Sequence, residues 1–345
     1  MSRSSALTLV VLIAVTACAP TGSAAVAPTA AGSATAEPLV KLAVAYDGIS
    51  ISTGPMQFTF EQGIFRKYGL DVELSPIAGG SLLTAAVVGG SVKLGQNGYE
   101  PALTAALQGA DLVIIGGINN KLPYQLVVKP ALAASGLKGS NARIAISRFG
   151  SSSDLAVKAI VQQQLKLDPK TDITELQIGG EPDRVAALES GQVDGTVLQY
   201  PLTATLLKKG YKIVGDATDL VDLPNTAYVT SRKTLAAERA TLTKFFMAMI
   251  DGVHAYKTNP DAAIASTAKF LSVSVEDMRP AYDFYTKNVY PDVPRPSLTG
   301  IKNLFDTTIS QTQASAKNAK PADFVDVSIL DELEASGFVK QILAK

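Results

Sequence analysis

Hydroxyls, glycines and aromatic rings gather in a few short loops of this chain, where they could bind a small molecule rather than transform one. Tyr46-Asp47-Gly48 leads to Ser52-Thr53, Gly79-Gly80-Ser81 forms a tight turn, and Asn97-Gly98-Tyr99 closes a third loop. A matching set follows: Arg148-Phe149-Gly150-Ser151-Ser152-Ser153, then Gly179-Gly180, then Gln199-Tyr200. Glycine lets backbone N–H groups approach an oxyanion, and helix N-termini add positive potential. Serine and glutamine side chains can orient the rest of a ligand, while Tyr46, Tyr99, Phe149 and Tyr200 can cover an apolar or aromatic face. Asp47, Glu100, Asp154 and Glu181 lie in or beside the same loops. They argue against a purely anionic ligand, and an anionic group on an aromatic or pyrimidine body suits the set at least as well.

Enzymatic signatures are missing: there is no G-x-S-x-G elbow, no Walker A loop and no H-E-x-x-H. The serines beside Asp154 read as helix caps and ligand hydrogen-bonders. A serine nucleophile would need a base, and the sole histidine, His254, reads as a partly buried, hydrogen-bonded structural residue. The single cysteine, Cys18, excludes an internal disulfide and any multi-cysteine metal site, so neither a cofactor nor a metal is expected. With 31 basic and 31 acidic residues there is no basic field for nucleic acid, and 47% hydrophobic residues is too apolar for a disordered chain. At 345 residues, about two domains are expected.

The elements that must hold these loops repeat. Lys41-Leu42-Ala43-Val44-Ala45 matches Arg143-Ile144-Ala145-Ile146-Ser147, and the glycine pairs Gly79/Gly180, Gly90/Gly191 and Gly109/Gly210 share one offset. The series predicts two copies of one α/β module, roughly 40–122 and 142–222. Each copy alternates β-branched strands with helices opened by Ser, Thr, Asp or Pro, the pattern of a parallel sheet whose ligand sits at the carboxyl ends of its strands. The first helix is expected over 56–68, closed by Gly69. Beyond 234, an apolar stripe through Leu242, Phe245, Phe246, Met249, Ile250, Val253 and Tyr256 predicts a helix over 234–257 packed on the first module. Further helices are expected at about 261–271, 275–288, 297–312 and 329–343.

The runs GIFRKYGLDVEL (63–74), ISRFGSSSDLA (146–156), LQIGGEPDR (176–184) and ALESGQVDG (187–195) resemble the nitrate/sulfonate/taurine class of ABC-transporter solute-binding proteins, which also takes in thiamine-precursor binders. The resemblance covers about residues 40 to 340. It implies a type II periplasmic-binding fold: two pseudo-duplicated α/β lobes joined by two crossover strands, with a helical C-terminal extension on lobe one. Lobe one would be 39–123 and 231–345, lobe two 130–224, and the crossovers 124–129 and 225–231. The implied function is capture of a small organic or oxyanion solute (sulfonate, nitrate, pyrimidine or aromatic acid) by hinge closure, and its delivery by a monomeric protein to an ABC permease and its ATPase. The alternatives are a ligand-sensing or vestigial lipoprotein of the same fold, or a pyrimidine-synthesis enzyme relative.

Leu7 to Ala17 is an apolar run too short to span a membrane as a helix and reads as part of a signal peptide, residues 1–17. It ends at Cys18 in a sequence similar to a bacterial lipobox, which implies a lipid anchor there and an extracytoplasmic location. Residues 18–38, rich in Ala, Pro, Ser, Thr and Gly, would form a flexible tether.

Overall fold

The computed structural model describes residues 38–220 and 222–345; the expected signal segment, Cys18 and the tether as far as residue 37 lie outside the described residues. Short apolar runs form ten strands among the described residues: β1 (Val40–Tyr46), β2 (Leu70–Pro76), β3 (Leu94–Gly98), β4 (Val113–Asn119), β5 (Tyr124–Val128), β6 (Ala142–Ile146), β7 (Ile173–Gln177), β8 (Gly195–Gln199), β9 (Lys212–Asp216) and β10 (Thr226–Thr230). They make two five-stranded mixed sheets, ordered β2-β1-β3-β10-β4 and β7-β6-β8-β5-β9. In the first sheet β1 pairs in parallel with β2 and β3; in the second β6 pairs in parallel with β7 and β8. Helices cover the faces, so the inner strands β3, β8 and β10 are buried along their whole lengths, as is the edge strand β4.

The repeat read from the sequence is present in the register. Val40 sits opposite Leu70 in one sheet and Ala142 opposite Ile173 in the other. Gly90 and Gly191 follow corresponding helices, Gly80–Val88 and Glu181–Glu189, at φ +74° and +82°. The segments expected as crossovers contain β5 and β10, and each is built into a sheet rather than bridging two. β10 runs antiparallel between β3 and β4, and β5 antiparallel between β8 and β9. The chain therefore passes between lobes in the segments just before β5 and β10.

Helix Arg239–Thr258 buries every position of the predicted stripe, in the core that the first sheet and its covering helices share. Tyr228 of β10 meets Phe245 and Phe246 edge-on, with ring centroids 5.2 and 5.7 Å apart. His254 is half-buried on this helix. Among the described residues its imidazole makes no hydrogen bond, and the Thr258 hydroxyl donates instead to the His254 carbonyl at 2.9 Å, so the expected side-chain bond is not formed.

The predicted 234–257 helix breaks at Glu238 into Arg232–Ala237 and Arg239–Thr258, and two further predicted helices are interrupted at glycines. The 56–68 helix becomes Gly54–Glu61 and Ile64–Lys67, and the 329–343 helix becomes Ser328–Ala335 and Phe338–Leu343. At each break a glycine, Gly63 or Gly337, takes positive φ, a turn that apolar spacing alone does not reveal. The helix expected to reach 312 stops at Thr307, before the β-branched Thr308 and Ile309.

Candidate functional site

Loops at the carboxyl ends of β1 and β2 face those of β6 and β7 across the gap between the lobes. They enclose a polar cavity of about 30 Å³. Its first-lobe wall is Asp47, Gly48, Ile49, Ser50 and Gly80; its second-lobe wall is Tyr124, Ser147, Ser151, Ser152, Ser153, Gly180, Glu181 and Arg184. Ser151 caps helix Ser152–Ala159, accepting from Asp154 N at 3.5 Å and donating to Arg148 O at 2.7 Å. Its oxygen also accepts from the Ser147 hydroxyl at 2.8 Å, and Ser147 N donates to Ser153 Oγ at 2.8 Å, which makes the serine cluster a self-supporting wall.

Glu181 and Arg184 lie one turn apart on the helix after the Gly179-Gly180 turn, both almost wholly buried. Arg184 donates from Nη1 to Gly179 O at 2.7 Å and from Nη2 to Val197 O at 3.0 Å. Glu181 Oε2 accepts from Gln199 N at 3.3 Å. Arg184 Nη2 lies 3.9 Å from Glu181 Oε1, beyond hydrogen-bond reach.

A second carboxylate group bridges the lobes nearby. Lys158 Nζ lies 2.6 Å from Asp154 Oδ1 and 3.8 Å from Glu175 Oε2, and Glu100 of helix Tyr99–Leu107 feels the charge of both Asp154 and Lys158. Burial raises the Asp47 and Glu181 carboxyls to about 7 against the pull of Arg184. Burial and the Asp154 charge raise Glu100 to about 7 and raise Glu175 as well.

These shifts set a sign for pH dependence. An unfolded chain releases such protons near pH 4, whereas the folded chain keeps them to about pH 7. The stability they contribute is full below about pH 4 and is lost as pH rises through the folded values. The melting temperature of the ligand-free protein should therefore fall by several degrees between roughly pH 5 and pH 8 at fixed ionic strength. A flat or rising value would show that these carboxyls ionise freely in the fold.

The lobes are latched beside the cavity. Ser52 Oγ donates to Gln199 Oε1 of the other lobe at 2.8 Å, and accepts from Asn119 Nδ2 at 2.6 Å and Asn225 Nδ2 at 3.4 Å. Tyr285 OH donates to the same Gln199 oxygen at 3.3 Å. Ser81 Oγ donates to Phe149 O at 2.8 Å, and a Cβ at Gly98 would stand 2.5 Å from Ser152 Oγ, so the lobes touch there through bare backbone.

Of the residues predicted from sequence, Asp47, Gly80, Ser151, Ser152, Ser153 and Gly180 are on the cavity wall, and Ser52 and Gln199 form the latch. Thr53 donates to Gly48 O at 3.1 Å and Gly150 N to Asp154 Oδ2 at 2.8 Å, which shapes the loops that bear the wall. Asn97 is spent within its own lobe, donating to Thr84 Oγ1 and accepting from Gly98 N. Gly79 supports the Arg148 stem, which a Cβ there would meet at 2.5 Å.

The predicted aromatic cover is not where the sequence reading put it. Tyr46 turns into the first-lobe core against Phe270, with centroids 6.1 Å apart, and Tyr99 is fully buried with its hydroxyl 3.4 Å from Asn120 Oδ1. Phe149 is about half exposed, and Tyr200 lines a separate groove of about 450 Å³ with Phe284 and Tyr285. The wall aromatic is Tyr124, which a connector reading of 124–129 could not aim at the cleft. Glu181 and Arg184 had a legible signal: their three-residue spacing directly after a double-glycine turn puts both on one helix face at its start.

Residues 35–272 match the model of the NMT1-like family. The chain belongs to that family. A relative named as an aliphatic sulfonates-binding protein, from Escherichia coli strain K12, is 33% identical over 148 residues, 41% of this chain and 44% of the relative. This NMT1-like chain spans 44% to 66% of the length of the curated relatives it matches.

Among solved structures, the alkanesulfonate-binding protein SsuA of Xanthomonas axonopodis pv. citri, bound to MOPS, superposes with a TM-score of 0.66 at 20% identity, over 84% of this chain and 99% of that one. The periplasmic nitrate-binding protein NrtA of Synechocystis PCC 6803 superposes with a TM-score of 0.65 at 12% identity, over 86% and 89%. The resemblance read from the sequence holds for family and fold: this family member has the two-lobed periplasmic-binding architecture.

Proposed function

We propose that this NMT1-like protein is the extracytoplasmic solute-binding component of an ABC importer. It captures a small solute between its lobes, closes over it and hands it unchanged to a permease with its ATPase. It works as a monomer, tethered through a lipid on Cys18. Residues 39–123 with 231–345 move as one lobe and 130–224 as the other, bending where the chain passes between the sheets. The observation that carries this reading is the cavity wall supplied by both lobes beside the Ser52–Gln199 latch. A ligand that touches both walls gains contacts only in the closed state, and that differential drives closure. The relatives' names point to binding rather than catalysis.

A thermal-shift screen over sulfonates, nitrate, pyrimidines, flavins, aromatic acids and amines tests it. At least one class should raise the melting temperature, shrink the radius of gyration in solution scattering and be recovered chemically intact. No response across the whole screen would sink solute capture, and a product appearing from any compound would replace it with catalysis.

A further inference from the structure

We propose that the cleft binds the charged nitrogen of a small organic cation, a primary ammonium or an amidinium, held between Asp47 of the first lobe and Glu181 of the second. This inference rests on the solute-binding reading and narrows it to a substrate class.

The first support is an acceptor left without a donor. Glu181 is only 4% exposed and lines the cavity, yet its Oε1 has no hydrogen-bond partner among the described residues. A buried carboxylate oxygen left bare is costly, and a nitrogen cation supplies the missing donor together with a compensating charge. The second is the charge count on the wall. Asp47 and Glu181 face one guanidinium, Arg184, whose two terminal nitrogens are held by Gly179 O and Val197 O while its Nε has no partner among the described residues. When both acids ionise the wall is net negative.

The third concerns the helix starts that an oxyanion would use. The second lobe's two helix starts already carry their own carboxylates. Asp154 accepts from Gly150 N at 2.8 Å, and Asp183 accepts from Gly180 N at 3.1 Å. The positive ends of those helices are therefore compensated before any ligand arrives. An ammonium has donors and no acceptor, the complement of Glu181 Oε1 and the Asp47 carboxylate. Because those two acids belong to different lobes, one cation bridging them is also a closing ligand.

Titration calorimetry on the full chain tests this, with putrescine, methylammonium and acetamidine set against nitrate, methanesulfonate and acetate at matched ionic strength. At least one of the nitrogen cations should bind about tenfold or more tightly than any of the anions. Glu181→Gln and Asp47→Asn should each weaken cation binding about tenfold with an unchanged circular dichroism spectrum.

Cation affinity should also drop several-fold from roughly pH 8 to pH 6, since both acids are held near 7 and must ionise to receive the ligand. Facing them are the Arg184 guanidinium and the Tyr124 hydroxyl, which burial raises and keeps neutral over this range. Each variant should flatten that profile. Anions binding more tightly than cations, or both variants binding cations like the parent chain, would overturn the assignment and leave solute capture standing. Cations failing while the wider screen finds another ligand would do the same, and silence across that screen would remove both.

Discussion

Replacing Phe246 with alanine is expected to remove about 3 to 5 kcal/mol of unfolding free energy, the usual cost of emptying a large aromatic site in a packed core. Phe246 is fully buried and sits edge-on to Tyr228 at 5.7 Å and to Phe245 at 5.6 Å. Its ring also fills the space over Gly116, where a Cβ would stand 2.7 Å from it. The fit works in both directions: β4 omits a side chain where the helix inserts one. With β4, β10 and the long helix all rigid, the cavity left by truncation cannot close. For a folded unit of this size the melting temperature should fall by roughly 5 to 10 °C, with ligand selectivity unchanged. A loss under about 1 kcal/mol in urea unfolding would show that the helix is not anchored through this ring.

Ser52→Ala should have the largest effect on binding. Deleting one hydroxyl takes an acceptor from Asn119 and Asn225 and a donor from Gln199, all buried. Each buried polar group left without a partner costs about 1 to 3 kcal/mol. Asn119 ends β4 of the first lobe and Asn225, at the start of the crossover segment, is bonded to it through the backbone, so their share lowers stability whether the cleft is open or closed. Of the three Ser52 bonds only the one to Gln199 crosses the cleft; its loss leaves Tyr285 as the donor to that oxygen and weakens closure. Ligand affinity should fall about tenfold or more, and solution scattering should show a larger mean radius of gyration at subsaturating ligand. A Ser52→Ala protein that binds and scatters like the parent would show that closure does not depend on this latch.

Much of this architecture is legible in the sequence because the repeat is physical. Lys41–Ala45 and Arg143–Ser147 are equivalent because each covers most of the strand second from a sheet edge, with a parallel partner on either side, and Gly90 and Gly191 match because each follows a corresponding helix. Loop positions after β1, β6 and β7 follow from the rule that such sheets bind ligands at strand carboxyl ends. Side-chain direction was not legible. Tyr46 and Tyr99 occupy the right loops and point into the first lobe, since the last residue of a strand and the first of a helix can face either way. Tyr124 was hidden because β5 reads as a connector until its neighbours β8 and β9 are known. The latch was hidden for a similar reason: Ser52 and Gln199 are 147 residues apart and carry no local pattern.

The antiparallel strand in each sheet has a bearing on biosynthesis. Residues 124–216 contain every strand of the second sheet, so that sheet can be completed as soon as this one stretch of chain is available. The first sheet has a longer wait. β3 keeps an open edge and β4 has no place in the sheet until β10 slots between them, after the whole second lobe has been made. Until then β4, buried and β-branched in sequence, is unpaired and is a site for mispairing with other chains. The lobe that begins the folded chain is thus the last to have all its strands available.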